Sequence, residues 1–216
     1  MWQINDNLSI KLAVIEAKSL TVNHKKQAFE QLNRCALRYR YLYKDTLIGD
    51  IEGVKSTRRL FHVLGIDPTK HRPASEALLN RALKNKPFFS VNNLVDVGNW
   101  CSLDFLLPIC VYDISKIKGR VLIRKGLENE EYLGLNDRIV NLQGRYVISD
   151  EEGSFGSPIT DSLRTAVNFN TTEVVLTVFA SLDYDSALLR EKAGIFSERV
   201  IDVCGGEMTS IDILGG

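Results

Sequence analysis

"VNNLVDVGNWCSLDFLLPICVYDI", residues 91–114, holds the change of pattern on which the fold turns. Over its first part Leu94, Val95, Val97, Trp100 and Leu103 recur at helical spacing, with Asn92, Asn93, Asp96 and Asn99 set among them at intervals of three and four. Pro108 ends that helix, because proline has no N–H and clashes with the preceding turn. On the helix, residues 92, 96, 99 and 103 share one face, with 93, 96 and 100 beside it. A face turned to solvent would carry Lys and Glu, so short amides imply partners at fixed positions. Two readings stay open. Either Asn92 is an N-cap and Asp96 ties down a neighbouring loop, or the amides line a binding wall, since a buried amide left unpaired costs about 1–3 kcal/mol.

Outward from this stretch, the two sides differ in period. Upstream, residues 8–15 partly alternate and predict a strand, followed by a helix over Lys25–Tyr43 whose apolar face is Ala28, Phe29, Leu32, Cys35, Ala36 and Tyr39. Further helices are expected over residues 56–66, opened by Ser56 and closed near Gly65, and from Ser75 to Lys84. Downstream come short β-rich runs at 108–114, 120–126, 130–135, 138–142, 145–150 and 172–181, punctuated by Gly119, Gly126, Gly134, Gly144 and Gly153. That spacing is expected of a small barrel or sandwich. A helix from about Asp185 to Cys204 and a strand over 208–214 close the chain. Helices, then sheet, then helix, imply an α+β fold with helices packed on a partly closed β-barrel or sheet. The chain is expected to be one domain over residues 1–216, with residues 1–50 as a basic strand-plus-helix extension.

Composition is that of an ordinary globular protein, 44% hydrophobic and 25% charged over 216 residues. No apolar run reaches a membrane span and the start lacks a signal-peptide pattern, so a cytoplasmic location is expected. Cys35, Cys101, Cys110 and Cys204 stand far apart, which suits reduced thiols better than disulfides or zinc ligands. His24, His62 and His71 all lie in the first third, which argues against a histidine-based triad or metal centre further on. No metal or cofactor is called for. The zero net charge hides an asymmetry: residues 1–72 carry 13 Lys and Arg against 7 Asp and Glu, and residues 119–216 carry 9 against 16. The basic third suits a polyanion, or is a solvated face. In the first helix, Arg38, Tyr39, Arg40, Tyr41 and Tyr43 form a cluster that either clamps RNA or packs its aromatics inward.

Nucleotide-binding and hydrolase signatures are absent: no G-x-x-x-x-G-K-[ST], G-x-G-x-x-G, H-E-x-x-H or G-x-S-x-G. "DEEGSFGSP" (150–158) reads as a hairpin turn. "GSPITDSLRT" (156–165) then gathers Ser157, Thr160, Asp161, Ser162, Arg164 and Thr165. Asp161 and Arg164, three apart, are placed to hold each other while the hydroxyls bind a polar ligand. A self-satisfied Asx or ST turn accounts for the same residues equally well.

Val95-Asp96-Val97-Gly98-Asn99-Trp100, Pro108, Tyr112-Asp113 and Lys118-Gly119 together resemble the tRNA-editing B3/B4 module of the phenylalanyl-tRNA synthetase beta subunit, and more closely its free-standing relatives. The resemblance covers roughly residues 50–210. It implies a B3/B4-type α+β fold and hydrolysis of tyrosine from mischarged tRNA for phenylalanine. Carried over by position, the family's site Asn is Asn99 and its Pro is Pro108. Its site histidine is replaced by Cys110, and its acidic residue on a later strand falls at about Thr177. An aminoacyl ester is already activated, so a positioned water and a stabilised oxyanion suffice. In that reading Asn99 and Cys110 are the candidate catalytic residues, with Asn93 beside Asn99 on the amino-acid or water side and Asp96 orienting the helix. Trp100, Pro108, Ser157, Asp161 and Thr177 complete the binding set, with Ser162 and Arg164 on the terminal nucleotide. The partner implied is the aminoacylated acceptor end of tRNA, met by the basic helices, and no membrane. The alternative is a non-catalytic module that keeps the pocket for an amino acid or RNA end. The chain is too short for a ligase core, so ligation is not expected.

Overall fold

A computed structural model describes residues 2–5 and 8–215. Ten strands and five helices follow in the order β1 (Trp2–Ile4), β2 (Ile10–Lys18), α1 (Gln27–Leu42), α2 (Glu52–Val63), α3 (Ala74–Leu83), α4 (Asn93–Phe105), β3 (Ile109–Asp113), β4 (Val121–Lys125), β5 (Glu131–Leu133), β6 (Ile139–Asn141), β7 (Tyr146–Asp150), β8 (Gly153–Gly156), β9 (Val174–Ser181), α5 (Ser186–Cys204) and β10 (Glu207–Leu214). The fold is α+β.

The strands form two four-stranded sheets, ordered β10-β2-β9-β3 and β1-β4-β7-β8, and a β5-β6 ribbon. Every pairing is antiparallel except β1 with β4. The sheets do not join into a closed barrel. Instead they face each other across a shared core. Ile10, Leu12 and Val14 of β2 and Val175 and Phe179 of β9 meet Val121, Ile123, Ile148 and Phe155 of the other sheet, with Leu60 and Phe61 of α2 and Leu64 just after it packed into the same core. The opposite face of β2, Ala13, Ile15 and Ala17, lies with Leu176 and Val178 under α4 and α5. This alternation follows the two-residue period of a strand buried on both sides.

Within residues 1–50, read from sequence as an extension, β2 and α1 contribute to this frame. Strand β2 pairs with β10 on one side and β9 on the other. Helix α1 packs on α3 and α4 through Leu32, Cys35, Ala36 and Tyr39. Tyr39 is buried, donating its hydroxyl to the Asp104 carbonyl at 2.6 Å, and Tyr41 is 82% exposed, so the Arg-Tyr cluster divides between core and surface.

Helix boundaries follow local chemistry. Helix α2 starts at Glu52, a turn before Ser56, because the short helical turn at Ile48–Asp50 runs straight into it through extended Ile51. Helix α4 ends where Leu106 adopts a left-handed conformation at φ 55°, two residues before Pro108. The Ser102 and Thr57 hydroxyls donate to the freed carbonyls of Leu107 (2.9 Å) and Leu106 (2.5 Å). Gly98 lets this helix sit close on β3, since a methyl there would lie 3.2 Å from the Val111 side chain.

Candidate functional site

Strand β3 is the last strand of its sheet, and its free edge opens a cavity of about 290 Å³. Three consecutive β3 residues, Ile109, Cys110 and Val111, line it, so the cavity runs along the edge rather than over one face. Helix α4 supplies Val95, Gly98, Asn99 and Ser102 as a second wall, and the loop after β8 supplies residues 157–161 as a third.

That loop is held from within. Ser157 Oγ donates to the Thr160 carbonyl at 2.8 Å and accepts from the Thr160 N–H at 3.2 Å and from Tyr132 Oη at 3.1 Å. Tyr132 also donates to the Thr160 carbonyl. Asp161 accepts from Tyr112 Oη at 2.6 Å. Tyr112 is fully buried, and its hydroxyl passes over Gly156 where a methyl would overlap it. Burial pushes the Asp161 carboxyl up to about 6, against the opposing effect of the Tyr112 hydroxyl, the Cys110 thiol and the Ser157 N–H.

The candidate residues separate cleanly. Asn99, Cys110, Ser157 and Asp161 line the cavity together. The Asn99 side chain makes no hydrogen bond with any described residue, so both ends of its amide remain for a ligand. Cys110 is buried, with its sulfur 3.7 Å from the Ser157 carbonyl oxygen. Burial first, and the Asp161 charge second, push its thiol well above the ordinary range, so it is a neutral thiol at neutral pH and not a nucleophile. Thr177 stands opposite Cys110 in the β3–β9 register, behind the cavity wall. Its hydroxyl is fully buried with no conventional hydrogen-bond partner among the described residues, and it bears on the Cys110 thiol.

The others do not line the cavity. Asn93 is fully buried and tied to the segment before α1: its amide donates to the Thr21 carbonyl at 3.0 Å and accepts from the Asn23 N–H at 2.7 Å. Asn92 is the N-cap, accepting from the Val95 N–H at 2.9 Å. Asp96 accepts from the Ser90 hydroxyl at 2.5 Å and the Val91 N–H at 3.1 Å, closing the loop ahead of the helix. Trp100 lies under Arg199, whose guanidinium is 3.9 Å from the ring centre. Pro108 is buried at the entry to β3, its carbonyl accepting from the Phe179 N–H at 3.0 Å. Ser162 caps the short helical turn at Leu163–Thr165.

The expected pairing of Asp161 with Arg164 is not made. Arg164 binds Asp150 with both terminal nitrogens (2.9 and 3.0 Å), and also Glu152 and the Lys116 and Gly153 carbonyls. With both terminal nitrogens so engaged, the guanidinium fixes the loop from below. Among the cavity residues missed from sequence are Gly98, Ser102, Leu135, Ile159 and Ala74, and the role of Tyr112 was missed with them. Only Gly98, a glycine inside a helix, carried a local sign of close packing.

The cavity, the α4 wall and the two facing sheets define a helix-on-sheet α+β module with a cavity at one sheet edge. A family model described as the B3/4 domain matches residues 56–204, and the chain belongs to that family. It is 31% identical over 150 residues to the phenylalanine–tRNA ligase beta subunit of Bartonella henselae, covering 58% of this chain and 19% of that protein. It is 28% identical over 160 residues to the corresponding subunit of Zymomonas mobilis, covering 62% and 20%. The chain thus spans about a fifth of the length of these relatives. A crystal structure of an N-terminal fragment of the phenylalanyl-tRNA synthetase beta subunit from Pyrococcus horikoshii aligns over 96% of this chain and 50% of that one, at 13% identity and a TM-score of 0.46. Among the described residues no helix is long and apolar enough to cross a membrane.

Two predictions separate structure from binding. Asn93→Ala is expected to cost about 1–3 kcal/mol in urea denaturation, because two backbone groups lose their partner, whereas Asn99→Ala stays within about 0.5 kcal/mol of the parent. The second concerns Asp161, whose folded-state pKa lies above that of the unfolded chain. The folded protein therefore holds the extra proton between the two values, and stability falls as pH rises through that window. Asp161→Asn is expected to raise the melting temperature at about pH 7.5, with the gain vanishing by about pH 4, measured by calorimetry.

Proposed function

We propose that this chain hydrolyses mischarged aminoacyl-tRNA in trans, taking the aminoacyl group of the acceptor end into the cavity on β3. The observation that carries the reading is Asn99, a side-chain amide with no partner among the described residues, facing an amino-acid-sized space in a B3/4-family fold. At about 290 Å³ the cavity is at the lower end of small-molecule pockets, which suits one aminoacyl group and leaves the adenosine outside.

The ester needs no covalent catalyst. The Asn99 amide N–H donates to the carbonyl oxygen as it becomes an oxyanion, and its oxygen accepts from the attacking water. The free ribose hydroxyl of the terminal adenosine relays the proton to the leaving oxygen. Cys110, held neutral, contributes shape and a weak donor.

Support for RNA as partner comes from a groove between α1 and α3, lined by Asn33, Arg40, Asn85, Lys86 and Phe88. Arg40 and Lys86, with Arg34 beside Asn33 and Lys84 beside Asn85, enter none of the ion pairs formed by the described residues. Helix α3 has Ala74 in the cavity wall and ends beside this groove, about 15 Å away by helix rise. Cations and an aromatic ring at that distance suit a nucleic-acid backbone leading to the cavity.

One observation favours a second reading, a binding module without hydrolysis. Behind the ester site stand a neutral thiol and an unpaired hydroxyl, Cys110 and Thr177, and neither titrates near neutrality.

Purified protein incubated with tRNA charged with tyrosine, phenylalanine and other amino acids is expected to release at least one of them well above the spontaneous rate. Asn99→Ala should lose about 10²-fold in rate, the scale of one oxyanion donor. Release at the spontaneous rate for every amino acid, with charged tRNA still bound, would leave the binding module. Separately, Arg40→Glu with Lys86→Glu is expected to weaken tRNA binding and flatten its salt dependence by about two phosphate contacts, read by filter binding across salt concentrations.

A further inference from the structure

Among the described residues, most buried or half-buried carboxylates have cations; half-buried Glu16, on β2 and outside the cavity, has none. Glu76 is held by Arg58, Asp104 by Arg38 and Arg199, Asp150 by Arg164, and Asp113 lies 3.8 Å from Lys116. Asp96 has no cation, but each of its oxygens takes a donor and it stands outside the cavity. Asp161 differs from all of these. It lines the cavity, enters no ion pair among the described residues, and has one conventional hydrogen-bond donor, the Tyr112 hydroxyl. The other groups that bear on it, the Cys110 thiol and the Ser157 N–H, are neutral.

Its position is heavily determined. Tyr112 is fully buried and runs edge-on to Phe155 with ring centres 5.0 Å apart, and its hydroxyl clears the backbone only because residue 156 is glycine. The loop carrying Asp161 is locked by the Ser157 and Tyr132 bonds on one side and by the Ser162 N–H to the Phe155 carbonyl, 2.8 Å, on the other. A carboxylate fixed in a cavity without a counter-charge is electrostatically incomplete, and a bound cation completes it.

On the reading of the cavity as an aminoacyl site, we infer that Asp161 is the specificity-determining residue that receives the α-ammonium group of the aminoacyl moiety, so that the site takes esters with a free amine and rejects N-acylated ones. The Asn99 amide and the Asp161 carboxylate then address the two polar ends of the same moiety, one from α4 and one from the loop after β8. An N-acyl group removes the charge and leaves the carboxylate buried against an uncharged amide. Unaided, the carboxyl titrates at about 6, and an arriving ammonium would lower it further. The titratable groups around it, Cys110, Tyr112 and Tyr132, all have raised pKa values and stay neutral through that range, so the amine preference should grow as pH rises through about 6.

The test uses non-hydrolysable 3′-amides of adenosine carrying tyrosine or phenylalanine, each with a free amine and as its N-acetyl form. Binding to the full chain is measured by calorimetry. The parent is expected to bind the free-amine form at least about tenfold more tightly, and Asp161→Asn to bind both forms alike. Tyr112→Phe, which leaves the carboxylate in place without its orienting donor, should keep part of the preference. Circular dichroism and thermal melting confirm that each variant is folded. Equal binding of the two forms by the parent, retention of the full preference by Asp161→Asn, or no binding of either form would overturn the inference. The hydrolase reading fails independently: esters left intact alongside a clear amine preference would remove hydrolysis and leave Asp161 its role. Hydrolysis of free and N-acetylated aminoacyl-tRNA at equal rates would do the reverse. If Asp161→Asn lowers kcat equally for both esters while the preference survives, the residue is a general base and the inference falls.

Discussion

Strand β9 is buried along its whole length, and that constraint organises the molecule. A strand with no solvent face must be covered on both sides and paired on both edges. Val175 and Phe179 face the second sheet, Leu176 and Val178 face α4 and α5, and β2 and β3 take the two edges. Each later feature inherits this arrangement. Because β3 completes the sheet, its outer edge remains, and α4 and the loop after β8 enclose the cavity along that edge.

The cavity combines an economy of polar groups with one electrostatic cost. Most hydroxyls, amides and guanidiniums near it are consumed in building the wall: Ser157 and Tyr132 in the loop, Ser102 at the end of α4, Arg164 beneath. The Asn99 amide and the Asp161 carboxyl are among the groups that stay available. A carboxyl pushed up by burial destabilises the fold at neutral pH. On the proposed reading of the cavity, that cost is stability given up for binding.

The polar stripe on α4 shows how far residue pattern reaches. Its spacing correctly placed a helix, and Asn92 as its cap follows from local hydrogen bonding alone. Asn93, Asp96 and Asn99 look equivalent on a helical projection, yet they serve three different neighbours. Asn93 meets the segment at Thr21–Asn23, Asp96 meets Ser90 and Val91, and Asn99 meets the cavity. A helix turns by about 100° per residue, so small steps along the chain point side chains at different elements, and the identity of those elements is a tertiary fact. The same holds for "GSPITDSLRT". Local spacing suggested Asp161 with Arg164, but Tyr112 and Asp150, each distant in sequence, outcompeted that pair.

By itself the sequence determined most of the element order, though not β1 or β8, the α+β class, the helix within residues 91–107 and its end before Pro108, and the membership in a family that Asn99, Pro108 and the Tyr112-Asp113 pair signal. These rest on periodicity, backbone stereochemistry and short motifs, all of which act within a few residues. Only the tertiary structure decided that β2 lies in the middle of a sheet, that β1 runs parallel to β4, and that Asn99 and Asp161 share one cavity while Asn93 and Arg164 do not. Those outcomes depend on which long-range partner satisfies each buried polar group, a competition settled by packing around β9 rather than by any neighbour along the chain.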